Sequence, residues 1–262
     1  MQNPDMIRLS FFLSVLFLCG IWEWLAPRKP LTQNKWQRWL NNLGLVGFNS
    51  LCLSLLMPLM AIETAIWANQ QGYGLLNILA LPSMLEIVIA VLLLDFAIYV
   101  QHVVFHRVPW LWRLHRMHHA DQDIDVTTGA RFHPIEIILS MWIKMAVVIS
   151  LGISPFAVLI FEIILNASAM FNHSNAKLPL KLDAVLRRTI VTPDMHRVHH
   201  SVVTEETHSN FGFFLSIWDR GFGTYHAQPK LGHDKVQIGI AQFRTPREQW
   251  LDKMLSQPFR RK

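Results

Sequence analysis

The sequence predicts an all-α protein, a multi-span transmembrane helical bundle with a helical cap on its cytoplasmic side. Three observations carry that prediction. Hydrophobic residues make up 52% of the 262 positions and charged residues 16%, where soluble domains carry about a quarter charged. Long uncharged runs recur over the first two thirds of the chain. Thirteen histidines, nine of them in closely spaced patterns, follow or end those runs.

Composition excludes a disordered or acidic solvating chain. The formal charge is +6, from 24 basic and 18 acidic residues. Residues 1–100 hold five of each sign, whereas residues 176–262 hold fourteen basic and eight acidic, a surplus equal to the whole net charge. Such a segment suits a cap facing anionic headgroups. It has no basic stripe or reader motif, so no nucleic-acid partner is expected. Cys19 and Cys52 lie in apolar stretches and read as buried thiols.

The first span is Leu9–Leu25. A signal peptide would need a basic leading segment and a small-residue cleavage site, so a retained helix is expected. Trp39–Ile62 follows as a second span without a charge, and Ser83–Phe105 as a third with only Glu86 and Asp95. Each is long enough for the hydrocarbon core. Arg28, Lys29, Lys35 and Arg38 join the first two spans, residues 63–82 carry no Lys or Arg, and Arg107, Arg113 and Arg116 follow the third. The positive-inside rule then puts the first and third connections in the cytoplasm.

Residues 135–172 read as two apolar arms turning at Gly152-Ile153-Ser154-Pro155. The arms are short, so a re-entrant hairpin stands beside two full spans. Lys144 and Glu162 lie at similar depth on opposite arms and are expected to pair, since an unpaired charge there is costly. The three parts expected are residues 1–82 as N-terminal membrane helices, 83–226 as a histidine-bearing domain and 227–262 as a basic cytoplasmic tail.

On this map, His102 and His106 end the third span; His115, His118 and His119 follow it; His173 ends the hairpin; and His196, His199 and His200 lie in the cap. Topology brings all nine to one face of the membrane. His102-x3-His106 is an i, i+4 pair, and the two HxxHH triplets place their rings on one face each where helical. Imidazole suits iron, zinc, copper and nickel alike. Asp95 and Tyr99 share the stripe of His102 and His106. Asp95 reads either as a partner holding a ligand ring or as a polar contact between helices, and Tyr99 as packing.

The segments DFAIYVQHVVFHRVPWLWRLHRMHH, RFHPIE, FNHSN, TPDMHRVHHS and NFGFFLSIWDRGFGTY, spread over Asp95–Tyr225, resemble the fatty acid hydroxylase/sterol desaturase superfamily of integral-membrane oxygenases. The resemblance implies a His-rich dimetal site of two Fe ions, with zinc as a substitute in purified samples. It also implies O2 as co-substrate for oxidising a C–H bond of a lipid. It assigns His102, His106, His115, His118, His119, His196, His199 and His200 to the family's three boxes, and His173 to an additional ligand. Some branches carry another histidine where this chain has Ala169. His133 reads as structural or as a support to a ligand, His208, His226 and His233 as surface or loop residues, and Asp194 and Asp219 as structural partners.

Hydroxylation is the first expectation, desaturation at the same site the second, and a zinc hydrolase or metal transporter a different class. Two external electrons are needed per turnover, and no dinucleotide loop or haem-binding extension is evident. A ferredoxin or cytochrome b5-type donor with its reductase is therefore expected, docking on a basic face that includes Lys177, Arg187 and Arg188. The expected location is the bacterial inner membrane, with the histidines on its cytoplasmic side.

Overall fold

A computed structural model describes residues 3–79 and 81–260. The long helices are α1 (Pro4–Leu25), α2 (Lys35–Leu56), α3 (Ala61–Gln70), the short α4 (Leu75–Leu79), α5 (Ser83–Arg107), α6 (Pro109–His119), α7 (Pro134–Leu151) and α8 (Pro155–His173). The cap adds α9 (Leu180–Leu186), α10 (Pro193–His199), α11 (Thr204–Thr207), α12 (Ile217–Gly221), α13 (Gly232–Lys235) and α14 (Leu251–Ser256). Among the described residues extended pairing is limited to isolated bridges. Among the described residues, five segments are long and apolar enough to cross a membrane: α1, α2 with α3, α5, α7 and α8.

The second span departs from the expected Trp39–Ile62. Its helix stops at Leu56, and Met57 is extended, at φ −116° and ψ 104°. Pro58 causes the break, because proline disfavours helical backbone in the residue before it. Helix resumes at Ala61, so the connection of residues 63–82, which carries no Lys or Arg, is itself largely helical. The α3 helix buries Ala61, Ile62, Ala65 and Ala68. Small alanines let it lie close against α7 and α8, where the main apolar core forms with Leu94, Val148, Val158 and Phe161.

The hairpin turn is built as its sequence indicates. Gly152 caps α7 at φ 68°, Ser154 accepts from the Ala157 amide to cap α8, and Pro155 takes the first helical position. A Cβ on Gly152 would stand 2.5 Å from the Tyr73 carbonyl, so glycine also permits the α3–α4 turn to press against this one. Glu86, at the start of α5, accepts from the backbone and hydroxyl of Ser154 at 3.1 and 2.8 Å. Both arms qualify as spans by length and composition, at about 27 Å for the 18 residues of α7.

Lys144 pairs with Glu162 at 2.8 Å, as their depths suggest. Arg8 of α1 joins them as a second cation on Glu162, a partner that hairpin spacing could not reveal.

At the opposite end, buried polar anchors fasten the loop after α6 to the spans. Arg38 donates to both carboxylate oxygens of Asp121 at 2.8 Å and also pairs with Asp125. Glu23 accepts from the amides of Val126 and Asn175 at 2.6 and 2.7 Å. The chain beyond residue 227 returns across this surface: Gln249 donates to the Ala120 carbonyl, and the Leu251 amide donates to Asn41.

Candidate metal centre

The nine pattern histidines are all buried, none more than 4% exposed. Local sequence explains how they arrive. The α5 stripe of Asp95, Tyr99, His102 and His106 faces inward along its whole length. Pro109 starts α6 immediately after α5, and that helix carries His115, His118 and His119 on its buried side. Thr192 caps α10 by accepting from the Met195 amide, which sets His196 and His199 on one turn with His200 at its end.

The rings divide into two groups, each with nitrogens within 4.8 Å of one another. His102, His106, His115, His119 and His199 form one; His118, His173, His196 and His200 form the other. Each HxxHH triplet is thus split between the groups. The groups are adjacent: His119 of the first stacks on His200 of the second, with centroids 4.5 Å apart.

Proton positions follow from the outer partners. His102 Nδ1 donates to the Phe211 carbonyl at 2.8 Å, and His115 Nδ1 to Glu136 Oε1 at 2.6 Å. His118, His173 and His199 donate likewise to the carbonyls of Arg131, Ala169 and Ser209, at 3.1, 2.7 and 2.6 Å. Each of these rings, when neutral, has its Nε2 lone pair turned to the cluster. Yet Nε2 of His102 lies 3.1 Å from Nε2 of His115, and Nε2 of His118 lies 3.1 Å from Nε2 of His173. Two lone pairs so close repel unless a cation lies between them. Ligand nitrogens bound to one ion at about 2.1 Å stand about 3 Å apart at right angles, so the donor set fits a metal.

Unpaired atoms agree. His106 Nε2, both nitrogens of His119 and His199 Nε2 are buried without a hydrogen-bond partner among the described residues. Burial first, then repulsion by neighbouring imidazoles, holds His118, His119, His196 and His200 well below the usual 6.5. Burial, opposed in part by the Ser209 carbonyl, does the same for His199. These rings are neutral at physiological pH and free to ligate. At Ala169 there is no donor side chain, and the second group comprises four rings.

Among the other polar residues, some readings change and others hold. Asp95 supports no ligand ring; it accepts from the Phe214 and Leu215 amides and Trp218 Nε1, at 3.3, 3.2 and 2.8 Å. The carboxylate that orients a ring is Glu136, and its signal lay within RFHPIE. His133 is structural, accepting from the Ile135 amide and donating to the Leu255 carbonyl. Of the presumed surface histidines, His226 is exposed but His233 is buried. His208 is half-buried, with its Nδ1 3.3 Å from Nδ1 of His106. Tyr99 packs on Phe96 and Phe222 and hydrogen-bonds Thr224. Asp194 pairs with Arg197 and Arg28. Asp219 accepts from the Phe211 and Gly212 amides and Thr224.

A cavity of about 800 Å³ reaches the first group. His102, His115 and Glu136 line it, as do Arg8, Lys144 and Glu162; Leu53, Met57, Ile98 and Leu165 contribute apolar wall. The Lys144–Glu162–Arg8 network thus borders a space continuous with the histidines.

An apolar helical frame with a double histidine cluster at one end defines an integral-membrane protein of the histidine-rich metal-binding class. Residues 87–224 match the family described as fatty acid hydroxylase, and the chain belongs to that family. It is 27% identical to an ornithine lipid hydroxylase of Rhizobium tropici, over 91% of this chain and 73% of that protein. It is also 27% identical to the alkylglycerol monooxygenase of Homo sapiens, over 91% of this chain. With the cholesterol 25-hydroxylase of Homo sapiens it shares 25% identity over 53% of the chain. The chain spans about half the length of the latter two. No solved structure matches it.

Proposed function

We propose that the protein is a membrane-bound oxygenase that hydroxylates a C–H bond of a lipid, using O2 and two external electrons at a pair of iron ions. The observation that carries this reading is the facing of lone pairs, His102 against His115 and His118 against His173, at 3.1 Å. The nine histidines would hold the two ions, five rings around one and four around the other. When bound, such a pair supplies the oxidising power to activate O2 and attack an unactivated C–H bond.

The protein's own part is support and access. Glu136 and the backbone carbonyls fix each ring's tautomer and direction. Burial of all nine rings excludes bulk water, which would divert a strong oxidant. The cavity between α1, α2, α5, α7 and α8 gives an apolar substrate a route from the bilayer. The relatives named above are hydroxylases and a monooxygenase, which favours hydroxylation over desaturation. Five and four nitrogen donors exceed the three protein ligands typical of a catalytic zinc, which disfavours the hydrolase reading.

The site belongs on the cytoplasmic side of a bacterial inner membrane in this reading, supported by Arg28, Lys29, Arg107, Arg113 and Arg116 on the connections at the histidine end. An acidic electron donor would dock on the cap. Lys177 and Arg188 are exposed there, whereas Arg187 is buried, pairs with Asp183 and donates to the Ala227 carbonyl. Arg187 is therefore removed from the expected docking face.

The test is mass spectrometry of lipids from cells making the intact protein or a His118→Ala, His199→Ala variant. A histidine-dependent gain of one oxygen, with O2 consumption by the iron-loaded protein, is the expected result. Loss of two hydrogens would instead show desaturation, and no histidine-dependent change would overturn the oxygenase reading.

A further inference from the structure

One short segment of the cap, residues 208–211, touches three of the five rings in the first histidine group. Ser209 and Phe211 offer backbone carbonyls to Nδ1 of His199 and of His102, at 2.6 and 2.8 Å. His208 offers its side chain, with Nδ1 3.3 Å from Nδ1 of His106. In the second group, His118 and His173 are held from elsewhere, by the carbonyls of Arg131 and Ala169.

The contact between His106 and His208 has a direction. Nε2 of His106 is buried without a hydrogen-bond partner among the described residues, on a ring that belongs to the first group. A neutral ring that gives its Nε2 lone pair to an ion carries its proton on Nδ1. His106 therefore donates and His208 accepts, so this contact, unlike those between ligand rings, is an N–H to N hydrogen bond. Trp112 packs against both rings, with centroids 4.8 Å from His106 and 5.6 Å from His208. His208 is half-buried, so the acceptor that His106 depends on can be reached from the surface.

The segment is anchored away from the rings. The His208 amide donates to the Thr204 carbonyl at 3.0 Å and so closes α11. Asn210 has left-handed backbone, at φ 51°, a conformation asparagine adopts more readily than most residues. Its Nδ2 donates to the carbonyls of Met195 and His226, at 3.0 and 2.8 Å, and its Oδ1 accepts from the His226 amide at 2.8 Å. The Phe211 amide donates to Asp219 at 2.7 Å.

We infer that residues 208–211 form a brace for the first ion position alone, and that His208 is the positioning residue that fixes the His106 ring. The inference rests on the two-ion reading of the site. It adds that the two ions have separable supports, so loosening the brace frees one ion and leaves the other.

The experiment loads the full chain with Fe2+ in detergent micelles and follows iron release to an excess of a coloured ferrous chelator. The wild type should hold about two ions per chain. His208→Leu keeps the space filled but accepts no hydrogen bond. One ion should then leave about tenfold faster or more, the typical effect of losing such a partner, while the other leaves at the wild-type rate. His208→Asn, whose side-chain oxygen can accept near the Nδ1 position, should restore slow release. Added imidazole should restore it in His208→Ala, where the position is open to solvent, and not in His208→Leu, where it is filled. A merely structural role would not respond to imidazole, and retention of the second ion reports that each variant is folded. Release from His208→Leu as slow as from wild type, equal acceleration of both ions, or failure of both asparagine and imidazole to slow release overturns the brace alone. A wild type that holds no iron overturns the two-ion reading, and the brace with it.

Discussion

Nε2 of His118 lies 3.1 Å from Nε2 of His173, fifty-five residues along the chain, while its immediate neighbour His119 belongs to the other group of rings. On the proposed two-iron reading, one helical turn would serve two ion positions, and adjacent histidines would have separate consequences. His118→Ala and His119→Ala should each lower bound iron from about two per chain toward one, by removing a donor from different groups. The double variant should retain little. Iron analysis of purified protein checks this; full occupancy in both single variants would contradict the ligand assignment.

Glu136 holds His115 through a short hydrogen bond, and such partners typically contribute about ten- to a hundredfold in metal affinity or activity. Glu136→Ala should weaken iron retention by a factor of that order, and Glu136→Gln, which keeps an acceptor but loses the charge, by less. Competition with a chelator gives the ratio. Equal retention in the three proteins would show that the carboxylate does not orient the ring.

Glu162 neutralises two cations, Lys144 and Arg8. Glu162→Gln should destabilise the bundle by about 3–5 kcal/mol, the cost of stranding buried charge. Lys144→Met should cost less, because Arg8 remains beside the carboxylate. Exchanging Lys144 and Glu162 should not restore stability, since Arg8 would then face a lysine. Unfolding midpoints in detergent test the order of the three.

Arg38 neutralises Asp121 and Asp125 where all three side chains are almost wholly buried. Arg38→Met should therefore cost about 3–5 kcal/mol and loosen the loop that follows α6. Proteolysis near residues 121–131, at a protease concentration the wild type resists, would report that loosening.

His233 introduces a pH dependence. Burial, only partly opposed by Asp194, pushes its ring down to about 4 from the ordinary 6.5. The unfolded chain thus takes up a proton before the folded one does, so stability falls as pH drops from 6.5 toward 4. His233→Leu should show a smaller loss than wild type over this interval. Parallel slopes of unfolding midpoint against pH for the two proteins would refute the assignment.

The spans, the hairpin turn and the convergence of nine histidines were legible in the sequence because each depends on local pattern. Uncharged length marks a span, Gly152 and Pro155 mark a turn, and i, i+3, i+4 spacing puts rings on one side of a helix. Even the Lys144–Glu162 pair could be read, since two arms of one hairpin keep register. Pro58 carried a visible signal as well, though hydropathy alone ran the second span through it.

Other relationships required the fold. Asp95 sits at helical spacing from His102, and spacing cannot distinguish a carboxylate that touches a ring from one that takes up backbone amides of a distant loop. Arg8 reaches Glu162 across 154 residues, and Arg187 is turned inward although its neighbour Arg188 is exposed. The sequence by itself determined that a helical membrane frame would gather its histidines at one end, because periodicity and hydropathy act along single segments. Only the tertiary structure decided how those rings divide into five and four. That division depends on how α5, α6, α8 and α10 rotate and approach one another, and packing between helices sets that.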